Sequence, residues 1–151
     1  MSFVYLDTSV ALAQLLAEDR APSPELWTRA LISSRLLEYE IWNRIHTRQL
    51  GRTHGDAARA LIGRVALVEL MAPVLTRATE PFPIPVRALD ALHLSSIVFL
   101  SDSGQDIELA TYDANMTKAA RALGVRLYEV WRPGSKRSSS TRAVRMAGAP
   151  T

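Results

Sequence analysis

Short apolar runs separated by stretches of helical periodicity constrain this chain more than any other feature of it. Phe3-Val4-Tyr5-Leu6 is the first such run, β-branched and aromatic, and it stops at the helix-capping side chains of Asp7-Thr8-Ser9. Further strands are predicted near 30–33, 65–71, 107–112 and 125–130. Helices are predicted over about 8–17, 25–30, 35–49 with Ser34 as cap, 55–66, 87–100 and 113–123, the last ended by Gly124. Residues 18–24 read as a loop, and three prolines keep 80–85 out of helix. Strands alternating with helices give the α/β class with a mainly parallel sheet.

The 151 residues suit one compact domain, with 48% apolar and 22% charged residues as in soluble globular proteins. No apolar run reaches about 18 residues, and the N-terminus lacks the basic start and cleavage site of a secretory signal. A cytoplasmic protein without a membrane span is expected. The absence of cysteine excludes disulfides, thiolate zinc sites, iron–sulfur clusters and cysteine nucleophiles, and only His46, His54 and His93 remain for imidazole chemistry. The net charge of +3 belongs to the C-terminal end, where Arg132, Lys136, Arg137, Arg142 and Arg145 stand without an acid; the rest of the chain holds 13 basic and 15 acidic residues. A folded domain over 1–131 and a basic flexible tail over 132–151, adding weakly specific attraction to polyanions, are expected.

In an open α/β sheet, ligands bind beyond the carboxyl ends of the strands. Asp7 and Asp113 both stand there, although each also suits a plain helix cap. Asp90 is harder to explain by structure alone. Its neighbours Leu89, Ala91, Leu92, Leu94, Ile97 and Val98 leave that helix almost no polar face, so a carboxylate in it is costly unless paired, hydrogen-bonded or bound to a cation. Its plain alternative is a first-turn acid held by the helix N-terminus or by Arg87. Glu38 and Glu40 share the 35–49 helix, where at about 100° per residue Glu40 falls roughly 60° from Leu37 and Glu38 falls close to Ile45. Periodicity does not choose between them, and either suits an exposed ion pair with Arg44 or Arg48.

Four segments carry these acids: Val4-Tyr5-Leu6-Asp7-Thr8-Ser9, Ser33-Ser34-Arg35-Leu36-Leu37-Glu38-Tyr39-Glu40, Arg87-Ala88-Leu89-Asp90-Ala91-Leu92-His93-Leu94 and Ala110-Thr111-Tyr112-Asp113. In order and spacing they resemble the four acid-bearing motifs of PIN-domain ribonucleases, best in the VapC-like toxin branch. The resemblance covers residues 3 to about 130, and none of the four motifs departs from the family pattern. It implies a three-layer α/β/α sandwich, a second acid at Glu40 rather than Glu38, and a catalytic, metal-binding quartet of Asp7, Glu40, Asp90 and Asp113. It also implies an Mg²⁺- or Mn²⁺-dependent endoribonuclease, the toxin of a toxin–antitoxin pair. Such a toxin is expected to form a homodimer and to be blocked by a VapB-like antitoxin whose C-terminal segment covers the acidic pocket. The resemblance says nothing about residues 132–151.

The chemistry of the residues agrees with that implication. Convergent carboxylates raise one another's pKa values unless a cation compensates. Oxygen ligation without Cys or His suits Mg²⁺ or Mn²⁺. Such an ion activates water and stabilises charge on a phosphodiester, so products are expected to carry 5′-phosphate and 3′-hydroxyl ends. Thr8, Ser9 and Thr111 stand beside the acids as candidate hydrogen-bonding supports, and His93 reads as a structural histidine. Arg44 and Arg48 follow Glu40 at four-residue spacing, a candidate RNA-binding track or an ordinary run of ion pairs. One alternative is a receiver-type Mg²⁺-binding signalling domain, which would want an acid beside Asp7 and a lysine from a late strand; no acid is there, and Lys118 lies mid-helix. The other is a catalytically silent PIN module that binds RNA or protein.

Overall fold

The computed structural model describes residues 2–130, so the tail expected over 132–151 lies outside the described residues. Strands β1 (Ser2–Leu6), β2 (Leu31–Ser34), β3 (Val65–Val68), β4 (Asp106–Ala110) and β5 (Arg126–Leu127) form one sheet in the order β3-β2-β1-β4-β5. All neighbouring strands run parallel, with Val4 opposite Leu31 on one side and Glu108 on the other. The crossovers are made by helices α1 (Thr8–Leu15), α2 (Leu36–Thr47), α3 (Gly51–Ile62), α4 (Ala72–Ala78), α5 (Ala88–Asp102) and α6 (Ala114–Ala122). None of the described helices is long and apolar enough to cross a membrane.

Strand β1 shows how three layers arise. Successive side chains of a strand point to opposite faces, and a fully buried strand must therefore be apolar throughout. Val4 and Leu6 pack with Leu12, Ile41 and Leu61 of α1, α2 and α3. Tyr5, between them, packs with Leu94, Ile97 and Met116 of α5 and α6 on the other face. The result is the expected α/β/α sandwich, its sheet wholly parallel.

Two elements differ from the sequence expectation. Helix α4 was not foreseen because its seven residues bury only Val74, too little for a periodic signal; its Pro73 sits in the first turn, where a missing N–H costs nothing. The helix expected at 25–30 is a 3₁₀ turn over Pro24–Thr28.

Helices α1 and α6 end alike but with different residues. After α6 the chain turns at Gly124, φ +74°, and Val125 N–H donates to the Ala120 carbonyl at 2.9 Å. After α1 the turning residue is Ala17, φ +49°, with Glu18 N–H donating to the Ala13 carbonyl at 3.1 Å. Glycine takes this conformation freely, whereas a Cβ there costs about 1 kcal/mol.

The strand order fixes where a site can form. From β1 the chain moves outward through β2 to β3, then returns to the opposite side of β1 for β4. Order reverses between β1 and β4, and a crevice opens beyond their carboxyl ends. Asp7 ends one of these strands and Thr111-Tyr112-Asp113 follows the other.

Candidate active site

Asp7 is the residue before α1, yet its side chain makes no cap to that helix. Its Oδ2 instead accepts hydrogen bonds from Ser9 Oγ at 2.6 Å and Thr111 Oγ1 at 2.8 Å. The same two hydroxyls accept from the backbone of the neighbouring segment, Tyr112 N–H to Ser9 Oγ and Asp113 N–H to Thr111 Oγ1, both at 3.0 Å. Two side chains thus tie the ends of β1 and β4 together and orient one carboxylate. Thr8, the third expected support, is buried and its Oγ1 has no hydrogen-bond partner among the described residues.

Asp113 divides its two oxygens between two tasks. Oδ1 accepts from Met116 N–H at 2.8 Å and caps α6, while Oδ2 faces Arg87 Nη2 at 3.3 Å. Asp90, in the first turn of α5, has Oδ2 3.7 Å from Arg87 Nε, and that oxygen is buried without a hydrogen-bond partner. Burial, followed by the negative charges of Asp113 and Asp7, holds the Asp90 carboxyl above the ordinary carboxylate range, and Arg87 and His93 offset this only in part. One guanidinium, 81% exposed, therefore serves two acids.

Glu38 and Glu40, which periodicity could not separate, have different surroundings. Glu38 is partly exposed and pairs with Arg35 at 3.0 Å. Glu40 Oε1 lies 2.5 Å from Nε2 of His93, which is buried, and His93 Nδ1 lies 2.7 Å from the Tyr5 hydroxyl. Ser34 N–H donates to that hydroxyl at 3.1 Å. A carboxylate only accepts and an amide N–H only donates, so Nε2–H of His93 donates to Glu40 and the Tyr5 oxygen accepts from Ser34. Burial raises the Tyr5 hydroxyl well above its ordinary value, which keeps its proton in place. Sequence reasoning treated His93 as structural and missed this anchor for Glu40. The available signal was its position three residues after Asp90, on the same side of α5.

The arginines of α2 also part company. Arg44 lines a cavity with Ser9 and Tyr112, next to the carboxylates, whereas Arg48 lies at the exposed C-terminus of α2 and is not among that cavity's lining residues.

Among the described residues, no three His, Asp or Glu side chains are grouped closely enough to hold an ion as they stand. Existing partners occupy the oxygens there: Asp113 Oδ1 caps its helix, and Arg87 spans Asp90 and Asp113. The donor chemistry still fits a hard divalent cation, since every candidate ligand atom is a carboxylate oxygen and one of them, Asp90 Oδ2, is buried without a hydrogen bond.

The PIN domain family matches residues 4–122, a stretch that contains all four acids. Ribonuclease VapC46 of Mycobacterium tuberculosis (strain ATCC 25618 / H37Rv) is 29% identical over 129 residues, covering 83% of this chain and 95% of that protein. No solved structure matched. The parallel sheet, the acids at its switch point and the match over 4–122 agree, and the chain belongs to the PIN domain family.

Proposed function

We propose that this chain is an Mg²⁺- or Mn²⁺-dependent endoribonuclease, the toxin of a VapBC-type toxin–antitoxin pair. It would act in the cytoplasm as a homodimer restrained by a VapB-like antitoxin. The observation that carries the reading is Asp90: a buried carboxylate oxygen without a hydrogen bond, beside Asp7 and Asp113, at the reversal of strand order. A chain keeps such a charge where a cation compensates it. The similarity to a ribonuclease named VapC46 along most of both chains supplies the substrate class.

Asp7, Glu40, Asp90 and Asp113 would hold the ion. When bound there, Mg²⁺ or Mn²⁺ supplies a water of lowered pKa and stabilises charge on the scissile phosphate. The protein's part is orientation. Ser9 and Thr111 fix the Asp7 carboxylate, and His93, held by Tyr5, fixes Glu40. Arg87, on an exposed stem, neutralises Asp90 and Asp113 and stands where a substrate phosphate would approach them.

A second reading, the catalytically silent PIN module, is favoured by one observation: Arg87 already takes a cation's place between Asp90 and Asp113. Mapping of cellular RNA 5′ ends after brief induction separates the two. The proposal expects new ends at a defined set of sites with the wild-type chain and none with Asp90→Asn. A silent module yields no new ends with either.

A further inference from the structure

A cavity of about 610 Å³ adjoins the carboxylates, lined by Ser9, Arg44, Tyr112 and the Glu18-Asp19-Arg20 loop. Its size falls within the roughly 300–1,000 Å³ of small-molecule sites. It shares side chains with the acidic site: Ser9 donates to Asp7, Tyr112 precedes Asp113, and Arg44 lies one turn beyond Glu40, a rise of about 6 Å. The loop enters through Ala17 in its left-handed conformation.

The charges of this cavity are unspent. Among the described residues, Glu18, Asp19, Arg20 and Arg44 have no ion pair and no side-chain hydrogen bond, although all four line one space. The Tyr112 hydroxyl, within reach of the charge of Arg20, is buried without a hydrogen-bond partner. Two cations and two acids together do not describe a plain phosphate track. They describe a ligand that carries an anion at one end and hydrogen-bond donors at the other.

We infer that this cavity is a nucleotide subsite beside the scissile bond, in which Arg20 and Arg44 take a phosphate and Glu18 or Asp19 receives the donor edge of a guanine. The substrate class rests on the ribonuclease reading above. The base follows from donor chemistry. A carboxylate can only accept, and guanine alone presents two adjacent donors, N1–H and the 2-amino group, on its pairing edge. Adenine and cytosine place an acceptor beside their amino group, and uracil flanks its one N–H with carbonyls. Unstacked bases in single-stranded RNA are read on this edge and stacked on aromatic or guanidinium planes, which Tyr112 and Arg20 supply.

The test titrates the full chain with each of the four ribonucleoside 5′-monophosphates in chelator, followed by NMR, so that neither metal nor cleavage enters the readout. GMP is expected to bind at least about fivefold more tightly than the other three, a difference near 1 kcal/mol. Arg20→Ala with Arg44→Ala should weaken all four nucleotides about tenfold, and Glu18→Gln with Asp19→Asn should abolish the preference for GMP while binding of the others persists. Circular dichroism establishes that each exposed-site variant is folded. Equal binding of the four nucleotides, or binding indifferent to the arginine pair, overturns the subsite even if the wild-type chain cuts RNA. Conversely, a folded wild-type chain that binds GMP through these residues but cuts no RNA in Mg²⁺ or Mn²⁺ leaves the nucleotide site standing and removes the ribonuclease reading.

Discussion

The two ends of the central sheet use the same residue types to opposite effect. In the first half of β4, Asp106 pairs with Arg126 and Glu108 with Arg29, one arginine to each acid, all partly or largely exposed. At the carboxyl end two aspartates share a single arginine, a third is met only by hydroxyls, and the glutamate is met by a buried histidine. Exposed one-to-one pairs contribute about 0–1 kcal/mol and need no explanation beyond solubility. A surplus of buried negative charge destabilises the fold locally, and its retention at a strand-order reversal is the feature on which the proposed cation site rests.

The largest expected contrast is between Asp90→Asn and Asp106→Asn. The amide keeps the volume of Asp90 and removes the charge a metal needs, so RNA cleavage should fall by at least about 100-fold, at or beyond the upper limit for loss of an outer-shell partner. Asp106→Asn should leave cleavage unchanged and cost no more than about 1 kcal/mol in thermal unfolding. Comparable cleavage by the two variants would erase the distinction between the ends of the sheet.

His93→Asn tests whether Glu40 depends on its buried anchor. Loss of the Nε2–H donor frees the Glu40 carboxylate, and Mn²⁺ affinity measured by calorimetry should drop about 10- to 100-fold. Unchanged affinity in a folded variant would make the Tyr5–His93–Glu40 chain a packing feature only.

A smaller effect, of opposite sign, is expected for Arg87→Gln. Removing the guanidinium that spans Asp90 and Asp113 should tighten Mn²⁺ binding roughly fivefold, equivalent to about 1 kcal/mol of relieved repulsion. Arg126→Gln, at the other end, should not alter it. Weaker Mn²⁺ binding after Arg87→Gln would mean that the arginine organises the acids rather than competing for them.

The smallest effect concerns pH in the presence of chelator. The folded-state pKa of Asp90 lies above its unfolded value, so between the two the folded chain binds more protons and stability declines as pH rises. The decline begins near the ordinary aspartate pKa of about 4 and ends once pH passes the raised value. Asp90→Asn should flatten this part of the denaturation profile, and Asp106→Asn should not. A profile identical in wild type and Asp90→Asn would show that Asp90 is solvated like any surface acid.

Much of this contrast was legible in the chain before it was folded. Asp90 stood out because it interrupts a helix with almost no polar face, whereas Asp7 and Asp113 drew attention by their place at strand ends although each also suited a plain helix cap. The choice of Glu40 over Glu38 was not legible from periodicity, because two residues apart on one helix they fall on opposite edges of the same stripe. What sets Glu40 apart in space is its contact with His93, 53 residues away, itself held by Tyr5, 88 residues from His93. The loop that brings Glu18, Asp19 and Arg20 beside Tyr112 was equally hidden, since it depends on a left-handed turn at an alanine where a glycine would have been the signal. Local pattern names the residues that violate it; partners joined only by the fold require coordinates.

Whether the acidic surplus at the carboxyl end of the sheet serves metal-dependent hydrolysis of RNA is read from the end chemistry of products formed when a single-stranded RNA is incubated with the purified full chain in Mg²⁺, in Mn²⁺ and in chelator. Cleavage is expected with the metal ions and not in chelator, with 5′-phosphate and 3′-hydroxyl termini, as attack by a water rather than by the substrate's 2′-hydroxyl requires. Cleavage that persists in chelator, or products ending in a 2′,3′-cyclic phosphate, would contradict it.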